Sequence, residues 1–273
     1  MGEQTNRCDT GPGLRQRLCQ WFGESPGRSL QAIESHRLRE VWPHLYGTTV
    51  LQLGCIGGMD LLDCCVAPTR IVLDLPGAGG LRPPGLVAGV PEALPFDTRS
   101  VDLVLLPHTL EFSADPHQVL REVERVLSPE GYAVILGFNP FSLWGGWRLF
   151  ARGGGRVPWC GQFIQLTRIK DWLKLLGFDL TRGRMLFYRP PLRNEAVMDR
   201  LYFLDRMGDR WWPLAGAVYL LVARKRVAGM IRLRPAWTAR AVLANAVTRP
   251  LARRKRQVPA GRVIHTGVDG GGR

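Results

Sequence analysis

Apolar residues recur along this chain in two rhythms, one suited to helices and one to buried strands. Leu30, Ile33, Leu38, Val41 and Leu45 fall at roughly helical spacing and predict a helix over Ser29–Tyr46, preceded by another over Leu14–Trp21. Short, largely apolar runs follow at Thr48–Leu53, Arg70–Leu75, Leu86–Val90, Val101–Leu106 and Tyr132–Phe138. Runs of that length without polar alternation mark strands covered on both faces. A helical pattern at Met59–Cys65 separates the first two, and a Gly- and Pro-rich loop, Pro76–Gly85, precedes the third.

The clearest helix begins at Asp115, a suitable N-cap, with Pro116 in the first helical position. Val119, Leu120, Val123, Val126 and Leu127 form its apolar stripe, and Ser128-Pro129-Glu130-Gly131 predicts its stop. Asn139–Cys160 reads as a Trp- and Gly-rich loop. Thr167 is expected to cap a helix that buries Ile169, Trp172, Leu173 and Leu176 and ends at Gly177. Arg184–Tyr188 and Ala217–Ala223 read as strands around a helical insertion at 192–209. Strands alternating with helices predict an α/β fold with a doubly wound, mostly parallel, seven-stranded sheet. The last two strands have only that helical insertion and a Trp-rich turn between them, which predicts an antiparallel edge.

Composition changes this picture little. The chain has 273 residues, of which 45% are hydrophobic and 22% charged, which excludes collagen-like, coiled-coil and wholly disordered readings. Its longest apolar run, Ala215–Ala223, falls short of the roughly 20 residues a membrane-spanning helix needs. The first residues lack a basic-then-apolar leader pattern, so a cytoplasmic location is expected.

Charge and cysteine usage add more. Lys and Arg number 37 against 23 Asp and Glu, a net of +14. Residues 224–273 hold 13 of the basic residues and one acid, Asp269, leaving the body nearly neutral. The predicted organisation is a disordered segment 1–13, a domain over 14–223 and a basic tail over 224–273. The tail, 224–262 above all, has the charge to meet RNA or an anionic membrane surface, or simply to aid solubility. The six cysteines form neither a C-x-x-C pair nor a His/Cys ligand spacing, so six reduced thiols and no metal site are expected.

In such a sheet ligands bind beyond the carboxyl ends of the strands. The first strand runs into Leu53-Gly54-Cys55-Ile56-Gly57-Gly58, where glycines permit a tight turn and close approach to a ligand. The second ends at Asp74, a carboxylate able to accept hydrogen bonds from both hydroxyls of a ribose. The third leads to Glu92-Ala93-Leu94-Pro95-Phe96 and the fourth to Pro107-His108-Thr109-Leu110-Glu111-Phe112. The same glycines would serve as a plain strand–helix turn, and Asp74 as an ordinary strand-end acid.

The order of these motifs resembles the class I S-adenosylmethionine-dependent methyltransferases, in particular the type 11 group. Val50-Leu51-Gln52-Leu53-Gly54-Cys55-Ile56-Gly57-Gly58 is similar to that family's first motif. Ala93-Leu94-Pro95-Phe96, Ser100-Val101-Asp102-Leu103-Val104, Leu110-Glu111, Asp115-Pro116 and Leu120–Tyr132 are similar to its later runs, so the likeness covers about 48–138. Gly137-Phe138-Asn139-Pro140-Phe141-Ser142-Leu143-Trp144-Gly145 resembles an uncharacterised bacterial subgroup. The resemblance implies a Rossmann-like methyltransferase fold that binds S-adenosyl-L-methionine. It implies Gly54, Cys55 and Gly57 beside the methionine part, and Asp74 on the ribose. Pro91 and Glu92 would lie beside the adenine, Leu106 and Pro107 near the sulfonium, and Asp102 would be structural. Four positions depart from the pattern: Gln52 stands for an acid, Ile56 for a glycine, Val90 for an acid and Phe112 for a histidine.

By the same resemblance the reaction is methyl transfer to an acceptor, a small molecule being favoured over RNA because the body is nearly neutral. Positioning supplies most of the rate, and a base is needed only where the acceptor must lose a proton. His108 is the candidate base, or else it packs its loop, and Glu111 is a second candidate. Asn139-Pro140-Phe141 is expected to shape the acceptor pocket. Trp144, Trp147, Trp159, Trp211 and Trp212 would flank that side, as stacking surfaces or as packing. Two other classes compete. One is a non-catalytic binding module on a degenerate fold, its tail holding nucleic acid or membrane. The other is a nucleotide-dependent oxidoreductase on a related sheet.

Overall fold

The computed structural model describes residues 12–55, 57, 60–75, 85–151, 156–192, 194–212 and 214–226. Two helices lead, α1 (Pro12–Gly23) and α2 (Gly27–Val41), followed by a 3-10 turn at Trp42–His44. Then come β1 (Thr49–Leu53), β2 (Thr69–Asp74), β3 (Leu86–Ala88), β4 (Val101–Pro107), α3 (Pro116–Val126) and β5 (Leu127–Phe138). The chain continues through α4 (Leu143–Ala151), α5 (Leu166–Leu175), β6 (Phe178–Leu186), α6 (Glu195–Arg200), α7 (Phe203–Trp211) and β7 (Val218–Lys225).

The seven strands form one sheet in the order β3-β2-β1-β4-β5-β7-β6. The first five run parallel, and β7 enters antiparallel between β5 and β6. Strand order reverses between β1 and β4, which puts the switch point of the sheet beside the glycine loop. Successive side chains of a strand point to opposite faces. Accordingly Leu103 and Leu105 of β4 pack with α1 and α2, and Val104 and Leu106 pack with α3 and α5. Both faces are covered, so β4 has no use for polar alternation.

Helix α3 forms as its sequence predicts. Asp115 accepts from the backbone N–H of His117 and Gln118 at 3.0 and 3.1 Å, and Val119, Leu120, Val123 and Val126 are buried. Asp102 ties the amino ends of the central strands together. It accepts from Thr48 N, Thr48 Oγ1, Thr49 N and Ser128 Oγ. Burial pushes its pKa up, but these bonds outweigh it and hold the carboxyl below its ordinary range.

Several expectations need correction. Residues 60–65 are turns, not helix, because side chains capture the local backbone: Trp42 Nε1 donates to Leu61 O and Arg70 Nη2 to Cys65 O. Ser128–Gly131 lies within β5. The Asn139–Cys160 loop contains α4. Thr167 is not the cap of α5, which starts at Leu166 after Gln165 with no side-chain bond. Strand β6 begins at Phe178, ahead of the expected Arg184, because its exposed, polar positions carry no hydrophobic signal on a sheet edge. Pro12 and Gly13 open α1, so the order of the domain begins before residue 14. Arg224 and Lys225, assigned to the tail, end β7, with Lys225 Nζ donating to Glu124 O and Leu127 O. The remainder of the tail lies outside the described residues. Cys160 is disulfide-bonded, whereas Cys19, Cys55, Cys64 and Cys65 are free.

Candidate functional site

The carboxyl ends of β1, β2 and β4 converge on one place. Gly54 follows β1 at φ +90°, a conformation that a residue with Cβ rarely adopts, and donates to Leu73 O at 2.7 Å. Gln52 Nε2 donates to Gly54 O at 2.9 Å, and its buried Oε1 has no partner. Asp74 closes the turn from β2: Cys55 N donates to Oδ2 at 3.0 Å and Leu75 N to Oδ1 at 2.8 Å. The glycine loop and the acid after the second strand therefore form one hydrogen-bonded unit. Ile56, Gly58 and Met59 lie outside the described residues.

The N-terminal helices supply residues that the sequence reading missed. Arg15 of α1 places Nε 3.6 Å from Asp74 Oδ1, and both side chains are buried. A Cβ on Gly54 would stand 2.5 Å from Arg15 Nη1, so glycine is what lets the guanidinium settle there. That Nη1 has no hydrogen-bond partner. Gly57, at φ +72°, faces Gln31 of α2, whose Oε1 would lie 2.5 Å from an added Cβ. Cys19 Sγ donates to Cys55 O at 3.6 Å. Burial, and after it the Asp74 charge, pushes the Cys55 thiol up to about 11, which keeps it protonated at neutral pH. One signal was legible: Leu30, Glu34 and Leu38 share a stripe at successive turns, with a carboxylate in the middle of a buried face.

His108 follows β4 at φ +50°, in the left-handed region, with its N–H on Leu136 O. Its side chain is wholly buried, with Nε2 2.7 Å from Glu34 Oε1 and Nδ1 3.6 Å from Glu111 Oε1. The ring stacks on Phe138 at 4.2 Å. Burial alone would lower its pKa, but the carboxylates of Glu34 and Glu111 outweigh that and raise it to about 9. The charged form of the ring is thus favoured, with Nε2 hydrogen-bonded to Glu34 Oε1. Glu111 Oε1 accepts from Phe138 N, and Oε2 has no partner. Tyr219 Oη is buried without a partner, and burial, with Glu111 nearby, pushes its pKa far up. Leu106 and Pro107 are buried at the end of β4.

The remaining candidates lie close by. Pro91 is buried, and Glu92 Oε1 accepts from Ser113 Oγ at 2.5 Å and Ala114 N at 3.2 Å, pinning the loop after β3 to the approach of α3. Val90 is exposed and Phe112 buried. Asn139 turns inward as a bracket: Nδ2 donates to Leu214 O and Gly216 O, and Oδ1 accepts from Phe141 N. Trp144 and Trp159 are core residues, whereas Trp147, Trp211 and Trp212 are exposed. Among the described residues no His, Cys, Asp or Glu cluster could hold a metal, and no helix is long and apolar enough to cross a membrane.

Comparison with known proteins bears on the fold and the family. A family model described as a methyltransferase domain, of the type 11 group, matches residues 76–135. The matched stretch begins beyond Asp74 and leaves the glycine loop outside it. The uncharacterized protein YafS of Escherichia coli K12 is 30% identical over 206 residues, covering 75% of this chain and 80% of the relative. The uncharacterized protein Mb2026c of Mycobacterium bovis is 28% identical over 178 residues, covering 63% and 60%. A chain from the complex between the Haloferax volcanii Trm112 methyltransferase activator and its proposed methyltransferase shares the fold, with a TM-score of 0.55 at 16% identity. That likeness covers 78% of this chain and 98% of the other.

Proposed function

The chain belongs to the class I S-adenosylmethionine-dependent methyltransferases, and from that premise we propose that it transfers a methyl group from S-adenosyl-L-methionine to a small-molecule acceptor. The observation that carries this reading is the Asp74 turn, where Cys55 N binds the strand-end carboxylate beside two glycines at positive φ.

The donors and acceptors in the cleft fit the cofactor. A carboxylate has about four lone-pair sites, so Asp74 keeps capacity for ribose hydroxyls beyond its two backbone bonds. Two buried atoms near the glycine turn lack partners, the acceptor Gln52 Oε1, whose Nε2 holds Gly54 O, and the donor Arg15 Nη1, of opposite hydrogen-bonding sense. Such a pair is complementary to the ammonium and carboxylate of an amino acid. Gln52 thereby stands in for the family's acid without a charge. Gly54, Cys55 and Gly57 would border the methionine part, Pro91 and Glu92 the adenine, and Leu106 and Pro107 the floor. When bound, the cofactor supplies an electrophilic methyl group on a good leaving group. The chain's own task is to hold the acceptor in line and exclude water. His108, kept charged between Glu34 and Glu111, orients the loop after β4 and serves as a positioning residue.

A second reading has its own observation. Arg15 lies on Asp74, Gln31 against Gly57 and Glu34 on His108, so α1 and α2 fill the cleft from one side. A non-catalytic module on the same fold would look like this. A thermal-shift panel of S-adenosylmethionine, S-adenosylhomocysteine, NAD and NADP separates the classes, since a ligand stabilises the folded state according to its affinity. Stabilisation by the first two alone supports the methyltransferase, by the last two an oxidoreductase, and by none the binding module.

A further inference from the structure

Helix α1 carries two arginines with opposite surroundings. Arg17 is exposed, whereas the side chain of Arg15 is only 8% accessible. Leu14, Leu18 and Phe22, at successive turns, anchor the helix in the core. Arg15 and Cys19, one turn apart, face the glycine turn instead. Cys19 Sγ donates to Cys55 O, and the Arg15 guanidinium lies against Gly54, filling the space a Cβ there would need. As a purely structural pair, Arg15 and Asp74 are poorly matched. Their contact is a single approach of Nε at 3.6 Å, not the short two-bonded fork that a guanidinium and a carboxylate favour. Nη1 is buried without a protein partner. A buried cation that leaves N–H donors unused is costly, which points to a further acceptor at this place.

Gln52 narrows the choice. Its Nε2 holds Gly54 O, and its Oε1 is a buried acceptor without a partner. A group seated at Gly54 that satisfies both side chains accepts from Arg15 and donates to Gln52. A carboxylate and an ammonium on one carbon do both. The pyrophosphate of a dinucleotide would suit the guanidinium but bring only acceptors to Gln52 Oε1. We propose that Arg15 is a specificity-determining residue of this site: it binds the carboxylate of the cofactor's amino-acid part, and so couples the seating of α1 to that group. The proposal rests on the reading of the site as one for S-adenosyl-L-methionine, and adds to it a residue from a helix that precedes the sheet.

The test compares S-adenosylhomocysteine with its decarboxylated analogue, which keeps the ammonium and the adenosine, by calorimetry on the full chain. Wild type should bind the analogue about tenfold or more weakly, since a hydrogen bond to a charged group is lost. In Arg15→Met the two ligands should bind alike. The cycle of two proteins and two ligands removes any effect of the substitution that both ligands share, including one through Asp74. Arg15→Lys keeps a cation beside Asp74 without the planar fork, so it serves where Arg15→Met fails to fold, and should retain only part of the preference. Hydrogen exchange in α1 should slow more with S-adenosylhomocysteine than with the analogue at equal saturation. Equal affinity of wild type for the two ligands would overturn the proposal and leave the cofactor reading standing. A full preference retained by both variants would do the same, and would make Arg15 a structural partner of Asp74 alone. Failure of wild type to bind either adenosyl ligand would overturn the cofactor reading and the proposal together. Binding of NAD in their place, weakened by Arg15→Met, would also overturn both and assign the guanidinium to a phosphate.

Discussion

Arg15 Nε of α1 lies 3.6 Å from Oδ1 of Asp74 at the end of β2, with both side chains buried. The carboxylate that anchors the glycine loop therefore also holds down the first helix. Asp74→Ala would leave the guanidinium buried without its partner and the N–H groups of Cys55 and Leu75 unpaired. Breaking one side of a buried pair costs about 3–5 kcal/mol. Urea denaturation should show a loss of that order, and an Arg15→Met, Asp74→Asn double variant should regain part of it. Equal stability of Asp74→Ala and wild type would remove the pair from the structural account.

The His108 cluster predicts a pH dependence. Its folded-state pKa, about 9, lies above the ordinary 6.5, so the folded state holds the proton more tightly. The associated stabilisation is fully present below about pH 6.5 and is lost as pH rises through 9. Thermal midpoints of wild type should fall across this window relative to those of His108→Gln. Parallel profiles for the two proteins would contradict the charged imidazole.

Cysteine reactivity tests the packing of α1 on the glycine loop. Cys64 is exposed, whereas burial raises the thiols of Cys19, Cys55 and Cys65. Since the thiolate is the nucleophile, a maleimide at neutral pH should label Cys64 first and Cys55 slowly among these four. Peptide mapping would read the order directly. Equal rates at Cys55 and Cys64 would mean that α1 does not cover the loop.

Asn139 brackets the segment that leads into β7. Asn139→Ala would leave the carbonyls of Leu214 and Gly216 and the N–H of Phe141 without partners, at a cost of about 1–3 kcal/mol. Denaturation should show that loss while affinity for S-adenosylhomocysteine stays unchanged. Full stability of the variant would contradict the bracket.

What the sequence revealed was what local chemistry determines. Val101–Leu106 announced β4 because both of its faces are buried, and Asp115-Pro116 announced α3 because the cap is made within three residues. Helix α4 was hidden by Gly145-Gly146, which weaken a helical signal that Trp144 restores by packing. Strand β6 was hidden because its middle lies exposed at an edge. In the site, Gly54, Asp74 and His108 follow strands and could be named. Arg15, Gln31 and Glu34 act across dozens of residues, through helix packing that spacing rules do not reach.

Calorimetric titration with S-adenosylhomocysteine reads out whether the Asp74 turn binds the adenosyl cofactor. A one-to-one complex with a dissociation constant in the micromolar range is expected. It should weaken about tenfold or more in Asp74→Asn, since a hydrogen bond to a charged group contributes roughly 1.5–3 kcal/mol. No binding at millimolar ligand would contradict it, and would mean that Arg15, Gln31 and Glu34 hold the cleft closed for another purpose.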